Sequence, residues 1–355
     1  MGGAGSTYQG AGQRALIGSF ASGGGRGITT AAVHPVTGAL TVLGVVESAG
    51  DASCLALSAD RQVLYAAGGS DHGMAAAYRI TADGLAPLGG PVPVGGLGPA
   101  HVSVAGDRLL IANYTSGNVS SLPIAADGRP QGPAVVLDHR GRGPDPERQA
   151  GPHAHHVVPD PSGRWVLSVD LGTDSVRVCT PDPVGGPLCV RAETPLRAGS
   201  GPREVAFHPR GDVAYVVHEL EPQLTVCRWD AGAGRLYPMG EVALGSGDVA
   251  ADTREYPSVA LVSADGRFIW AAVRGSNLLT TLSLSDGPEK PRITEVANCG
   301  GQWPRHLAAG PSGRHLYVSN EWSGDVTWFD IDSETGRLRL AGRSDVPAAA
   351  CVVLV

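Results

Sequence analysis

Histidine, arginine and glutamate recur at two kinds of place in this 355-residue chain: just before a short apolar run, and just after the run that follows it. The stretches before read Gly-Pro-His-Ala-His-His (151–156), Gly-Pro-Arg-Glu (201–204), Tyr-Pro-Ser (256–258) and Trp-Pro-Arg-His (303–306). The stretches after carry Asn113, Asp170, His218-Glu219, Arg274 and Asn320-Glu321. Arginine grips carboxylates and phosphates through paired N–H groups, and histidine or glutamate can move a proton near neutral pH. His153, His155, Arg203, Glu219 and Arg274 are therefore the expected catalytic group. Arg148, Asn113, Asp170, Glu204, His218, Arg305, His306 and Glu321 are the expected contacts to a small anionic substrate. Plainer roles exist for some of these: Glu219 as the salt-bridge partner of Arg203, Arg305 as a bridge between elements, His156 packed away from the site. The histidines lack H-E-x-x-H or Cys/His ligand spacing, and His153 with His155 has no evident third partner. No metal and no cofactor is expected.

The elements that position these residues repeat. A tight turn (Ala59-Asp60-Arg61, Gly106-Asp107, Ser162-Gly163-Arg164, Arg210-Gly211-Asp212, Asp265-Gly266-Arg267, Ser312-Gly313-Arg314) precedes each apolar run. The runs are VLYAAGG (63–69), LLIANYT (109–115), WVLSVDLG (165–172), AYVVHEL (214–220), FIWAAVRG (268–275) and LYVSNEWS (316–323). They return every ~50 residues, a period that signals propeller blades or solenoids. Six complete units fall at about 53–94, 99–138, 153–198, 203–244, 257–298 and 304–346. The start, Arg14–Glu47, lacks an inner strand, and the end, AACVVLV (349–355), is a lone strand. Joined, they complete a seventh blade and remove an open sheet edge. The expectation is an all-β, seven-bladed β-propeller with four antiparallel strands per blade, the termini sharing one blade. Residues 14–355 would form one domain behind a flexible leader, 1–13.

Strand direction then sorts the residues. In a blade the start of the innermost strand and the end of the second lie on one face, and the Gly/Asp/Arg turns lie on the other. The candidate residues should thus ring one mouth of the central channel. The loop 138–152 (DHRGRGPDPERQAGP), long for a compact domain, adjoins the same face.

Composition excludes several classes. The net charge is −7, Lys290 is the sole lysine, and no basic cluster accompanies aromatics, which argues against nucleic-acid binding. No stretch has the length of a membrane span or a signal-peptide core, so a cytoplasmic monomer is expected. The six cysteines have no Cys-x-x-Cys spacing and sit in or beside apolar strands, where a reduced thiol behaves as a small hydrophobe.

At Pro146–Asp174 (PERQAGPHAHHVVPDPSGRWVLSVDLGTD), Gly201–Leu220 (GPREVAFHPRGDVAYVVHEL) and Gly301–Asn320 (GQWPRHLAAGPSGRHLYVSN) the chain resembles the seven-bladed lactonase family. That family groups bacterial propeller-type 6-phosphogluconolactonases with fungal carboxy-muconate lactonizing enzymes. NYTSGN (113–118) and the end strand CVVLV fit as well. The resemblance implies a metal-independent site at the channel mouth. It maps the expected catalytic group onto His153 or His155, Arg203, Glu219 and Arg274. Three positions depart from the family pattern: Glu204 stands where histidine is usual, His218 where asparagine is, and Val259 where many bacterial members carry glutamate. The activity implied is hydrolysis of a small anionic lactone. The alternatives are a lactonizing cyclase or isomerase on the same frame, or a propeller that only binds.

Overall fold

The computed structural model describes residues 12–48, 51–69, 71–182, 185–245 and 253–355. Most of the expected leader, 1–11, lies outside the described residues. The chain forms seven antiparallel sheets, and the only helical element among the described residues is a single 3-10 turn, Ala21–Gly23. No helix among them is long and apolar enough to cross a membrane.

Blade 1 is closed by both ends of the chain. Its innermost strand is the C-terminal Ala349–Leu354, followed outward by Arg14–Ser19, Gly27–Val33 and Leu40–Glu47. The six other blades begin, at the channel, with Cys54–Leu57, Pro99–Ala105, Ala154–Pro159, Pro202–Phe207, Tyr256–Val262 and Pro304–Ala309. These are the units read from the repeat. The one addition is a two-residue strand, Val92–Pro93, which pairs with the third strand of blade 2.

The second strands are apolar at nearly every position because both of their faces are buried. In blade 3, Leu109 and Ile111 pack against blade 2, while Leu110 and Ala112 pack against blade 4. Side chains alternate along a strand, so a sheet covered on both faces needs a continuous apolar run. Outer strands such as Leu40–Glu47 are mostly exposed.

The turns on the far face carry backbone chemistry only. Gly163, Gly211, Gly266 and Gly313 share a left-handed φ of 70, 78, 72 and 67°, a conformation glycine adopts without penalty. All six cysteines are reduced, and Cys179 pairs with Val190 rather than with Cys189.

Candidate functional site

Two backbone devices aim side chains into the channel. The first is a β-bulge repeated in the innermost strands. Between blades' innermost and second strands the register skips Ala350, Ala100, His155, Arg203, Ser258 and Arg305. Each skipped residue has no partner in the ladder, and a bulge of this kind re-aims a side chain. Five of the six (Ala350, Ala100, His155, Arg203 and Arg305) line the channel cavities, and Ser53 of blade 2 does the same.

The second device is the residue at the end of the second strand that follows the last one turned into the blade: Arg274, the final strand residue, in blade 6, and the residue one past the strand in blades 3, 5 and 7. Asn113, Asp170, His218 and Asn320 themselves turn into their blades. Asn113 Nδ2 donates to Asn118 Oδ1 at 2.8 Å and Ser120 Oγ at 2.7 Å. His218 Nε2 pairs with Thr225 Oγ1 at 2.6 Å, and Asn320 Nδ2 donates to Asp325 Oδ1 at 2.8 Å. The following residues, Tyr114, Glu219, Arg274 and Glu321, turn toward the mouth. In blade 4 the equivalent Leu171 is covered by the loop 138–152, whose Gln149 Nε2 donates to the Leu171 carbonyl at 2.8 Å. The same loop delivers Arg148 to the mouth.

The result is a cavity of about 310 Å³ whose lining includes Arg148, His155, Glu219, Arg274 and Arg305. Phe20, Asp51, Ser53, Ala100 and Tyr114 line it too, with Asp51 Oδ1 accepting from the Ala21 N–H at 2.7 Å. Glu219 is the hub. Its Oε2 accepts from Arg203 Nε at 2.9 Å and Arg274 Nη2 at 2.7 Å, and its Oε1 accepts from Arg148 Nη2. Burial would push the Glu219 carboxyl up, but Arg274, Arg203, His155 and Arg148 outweigh it and hold it well below the usual carboxylate range.

The three arginines differ in what they have left to offer. Arg203 donates through Nε to Glu219 and through Nη1 to the Ser258 carbonyl, and is buried behind Glu219. Burial, then Arg274, pushes it down to about 9, so it is still charged at neutral pH. Arg274 spends Nε on the Tyr256 carbonyl at 3.0 Å and Nη2 on Glu219, leaving Nη1. Arg148 spends only Nη2, on Glu219 and on Tyr114 Oη at 3.2 Å. Arg305 donates through Nη1 to Glu321 Oε2 at 3.1 Å and lies over the Phe20 ring.

His155 is 7 % exposed, meets Tyr114 edge-on at 5.7 Å, and its ring makes no hydrogen bond among the described residues. Burial, then Arg203, lowers its pKa well below the ordinary histidine value, so the ring is neutral at pH 7. His153 does not reach the cavity. Its ring stacks behind Tyr114 at 4.4 Å and Nδ1 pairs with the Tyr114 carbonyl at 2.8 Å, so it positions that tyrosine.

Below the bulge ring, a smaller chamber of about 50 Å³ continues inward from His155 and Arg305. The residue after five of the six bulges lines it (Cys351, His101, His156, Glu204 and His306), together with Cys54 of blade 2. His101 and His156 lie ring to ring at 3.9 Å, so His156 faces the channel rather than packing away from it. Glu204 stands 3.7 Å from Arg203 and 4.0 Å from His156. Burial, opposed by Arg203, raises its carboxyl to about 7. Among the described residues no three His, Cys, Asp or Glu are placed to hold a metal ion.

The structure thus brings Arg148, His155, Glu219, Arg274 and Arg305 to one cavity, and places Arg203, Glu204 and His306 just beneath it. Glu321 touches it through Arg305. Asn113, Asp170 and His218, expected as substrate contacts, are instead buried in their blades. The alternation of a strand puts neighbours on opposite sides, so a shift of one residue moves the contact from Asn113 to Tyr114. Tyr114, Phe20, Asp51 and Ser53 were missed; for Tyr114 and Phe20 the signal is position in the repeat, at the end of a second strand.

Residues 14–354 match the family model described as Lactonase, 7-bladed beta-propeller. The chain is 31 % identical to the 6-phosphogluconolactonase of Bacillus subtilis over 341 residues, covering 95 % of this chain and 96 % of that one. A 6-phosphogluconolactonase of Serratia proteamaculans is 28 % identical, covering 87 % of this chain and 89 % of its own. Among solved structures, the periplasmic gluconolactonase of Pseudomonas aeruginosa superposes with a TM-score of 0.90 at 28 % identity, covering 97 % and 99 % of the two chains. The bulged inner strands, the guanidinium-bound glutamate at the mouth and the match across almost the whole chain converge: this protein belongs to the seven-bladed β-propeller lactonase family.

Proposed function

We propose that this protein hydrolyses a small lactone bearing an anionic group, with the chemistry at Arg274 and His155. The observation that carries the reading is the hub itself: a carboxylate fixing three guanidiniums beside a neutral histidine with an unbonded ring. Arg148 and Arg305 are partly exposed and keep N–H groups free, so they hold the substrate's phosphate or carboxylate. The free Nη1 of Arg274 supports the oxyanion that forms when water adds to the lactone carbonyl. His155 takes the proton of that water and returns it to the ring oxygen as the acyl C–O bond breaks. The product is the open hydroxy acid. Glu219 has both oxygens occupied by Arg203, Arg274 and Arg148; its role is to position Arg148 and Arg274.

The test is turnover of 6-phosphogluconolactone and glucono-1,5-lactone by wild type and His155→Gln, followed by proton release. His155→Gln should lower kcat by about 10²–10⁴-fold, the usual worth of a general base, with little change in KM. A variant that turns over like wild type would remove His155 from the mechanism.

Glu204 gives a separate, pH-dependent expectation. Its folded pKa is raised to about 7, above the ordinary 4.5 of the unfolded chain. Between those values the folded state binds more protons than the unfolded one, so this carboxyl's contribution to stability is full below pH 4.5 and is lost as pH rises through 7. Glu204→Gln, which cannot ionise, should gain on wild type by on the order of 3 kcal/mol between pH 5 and 8. Urea unfolding at both pH values measures this. Parallel curves for the two proteins would contradict a buried, titrating Glu204.

A further inference from the structure

The mouth carries a second feature that lactone hydrolysis does not use. Trp303 and Trp322 of blade 7 stack with centroids 3.7 Å apart and planes within 6°. Trp322 is 62 % exposed, although one of its faces is covered by Trp303. Trp303 in turn lies 5.3 Å from the Arg274 guanidinium and 5.8 Å from the Tyr256 ring. The pair therefore begins at a cavity-lining residue and ends in water.

The blade does not need this pair to close. Trp303 precedes Pro304 and has φ 66°, a left-handed conformation. The equivalent residues before Pro99 and Pro202 are Gly98 and Gly201, with φ 61 and 60°. There the glycines pack against Thr115 and Leu220, which hold the place that Trp322 holds in blade 7. Blade 7 thus sets a bulky side chain in a glycine conformation, fixed by a 2.8 Å hydrogen bond from the Trp303 N–H to Asn277 Oδ1. Strain of this kind persists where surrounding structure enforces it, and it clusters at ligand sites.

We propose that Trp322, backed by Trp303, is a carbohydrate-stacking subsite that receives a second pyranose ring attached to the lactone in the cavity. An exposed indole face flanked by polar groups suits a pyranose, whose C–H face stacks while its hydroxyls hydrogen-bond. The flanking groups are here: the exposed Gln302 amide makes no side-chain bond among the described residues, and Glu321 immediately precedes Trp322. Glu321 pairs with Arg305, so the subsite adjoins the cavity on two sides. The preferred substrate is then a disaccharide lactone whose aldonolactone end bears the anionic group, which rests on the cavity taking that end.

Gluconate, an open-chain hydroxy acid, and cellobionate, the same open-chain acid carrying one pyranose ring, separate the two ideas by calorimetry. Wild type should bind cellobionate about tenfold more tightly than gluconate, the scale of one aromatic stacking contact. Trp322→Ala should erase that preference and leave gluconate binding intact, and Trp322→Phe should restore part of it. Trp322 is exposed, so an unchanged thermal melt would show that each variant is folded. Equal affinities in wild type, or a preference that survives in Trp322→Ala, would overturn the subsite while the cavity reading stands. Phenylacetate binding as tightly as cellobionate would overturn its carbohydrate character. If neither hydroxy acid binds and no lactone is turned over, the cavity reading falls and the subsite with it.

Discussion

Glu219→Gln is expected to reduce kcat/KM for lactone hydrolysis by about 10²–10³-fold, because misplacing catalytic groups by an ångström already costs about 10²-fold. The carboxylate accepts from Arg203, Arg274 and Arg148 at once. An amide has one oxygen and one NH₂, so at least one guanidinium would face a donor. The remaining charges of Arg148, Arg203 and Arg274 would then repel one another around a neutral centre. Breaking a buried ion pair by removing one partner typically costs ~3–5 kcal/mol, so the melting temperature should fall as well. To separate folding from catalysis, kcat is measured at a temperature where circular dichroism shows the variant folded. Full activity of folded Glu219→Gln would mean that the hub is not what positions Arg274.

Asp170→Ala is expected to destabilise the protein by about 3–5 kcal/mol while leaving the kcat of the folded fraction nearly unchanged. Asp170 is fully buried and serves four groups. Its Oδ2 pairs with His139 Nδ1 at 2.6 Å and accepts from Arg177 Nη1 at 3.2 Å. Its Oδ1 accepts from the backbone N–H of His153 at 2.9 Å and of Thr173 at 3.1 Å. Burial raises its carboxyl pKa, yet His139, the His153 N–H and Arg177 more than compensate, and the net shift is downward. Asp170 is therefore a charged anchor that ties the loop 138–152 to blade 4. Urea unfolding gives the stability term, and a large fall in kcat with stability unchanged would return Asp170 to the substrate-contact role its position first suggested.

The repeat of turn and apolar run was enough to place every blade. A strand buried on both faces leaves a continuous Val/Leu/Ile signature, and the glycine turns between such strands have a conformational cause. The face of the channel was legible for the same reason, since chain direction decides which strand ends meet. Which side chains enter the channel was less so. Asn113, Asp170 and His218 sit one residue from Tyr114, Leu171 and Glu219, and a bulge of one residue reverses the alternation that would assign them.

By itself, the amino-acid sequence determined the propeller, its closure by the terminal strands, and the arginine, histidine and glutamate content of the mouth. Only the tertiary structure decided where each of these side chains lies. Arg203 looked like a substrate clamp and is a buried support for Glu219; Arg148, in an irregular loop, reaches the site itself. His153 and His155 are two residues apart, yet one braces Tyr114 and the other enters the cavity. These outcomes depend on contacts between residues far apart in the chain, such as Arg148 with Glu219 and Arg203 with Ser258. No local pattern encodes the arginines that hold Glu219 ionised or the burial that raises Glu204 toward neutrality.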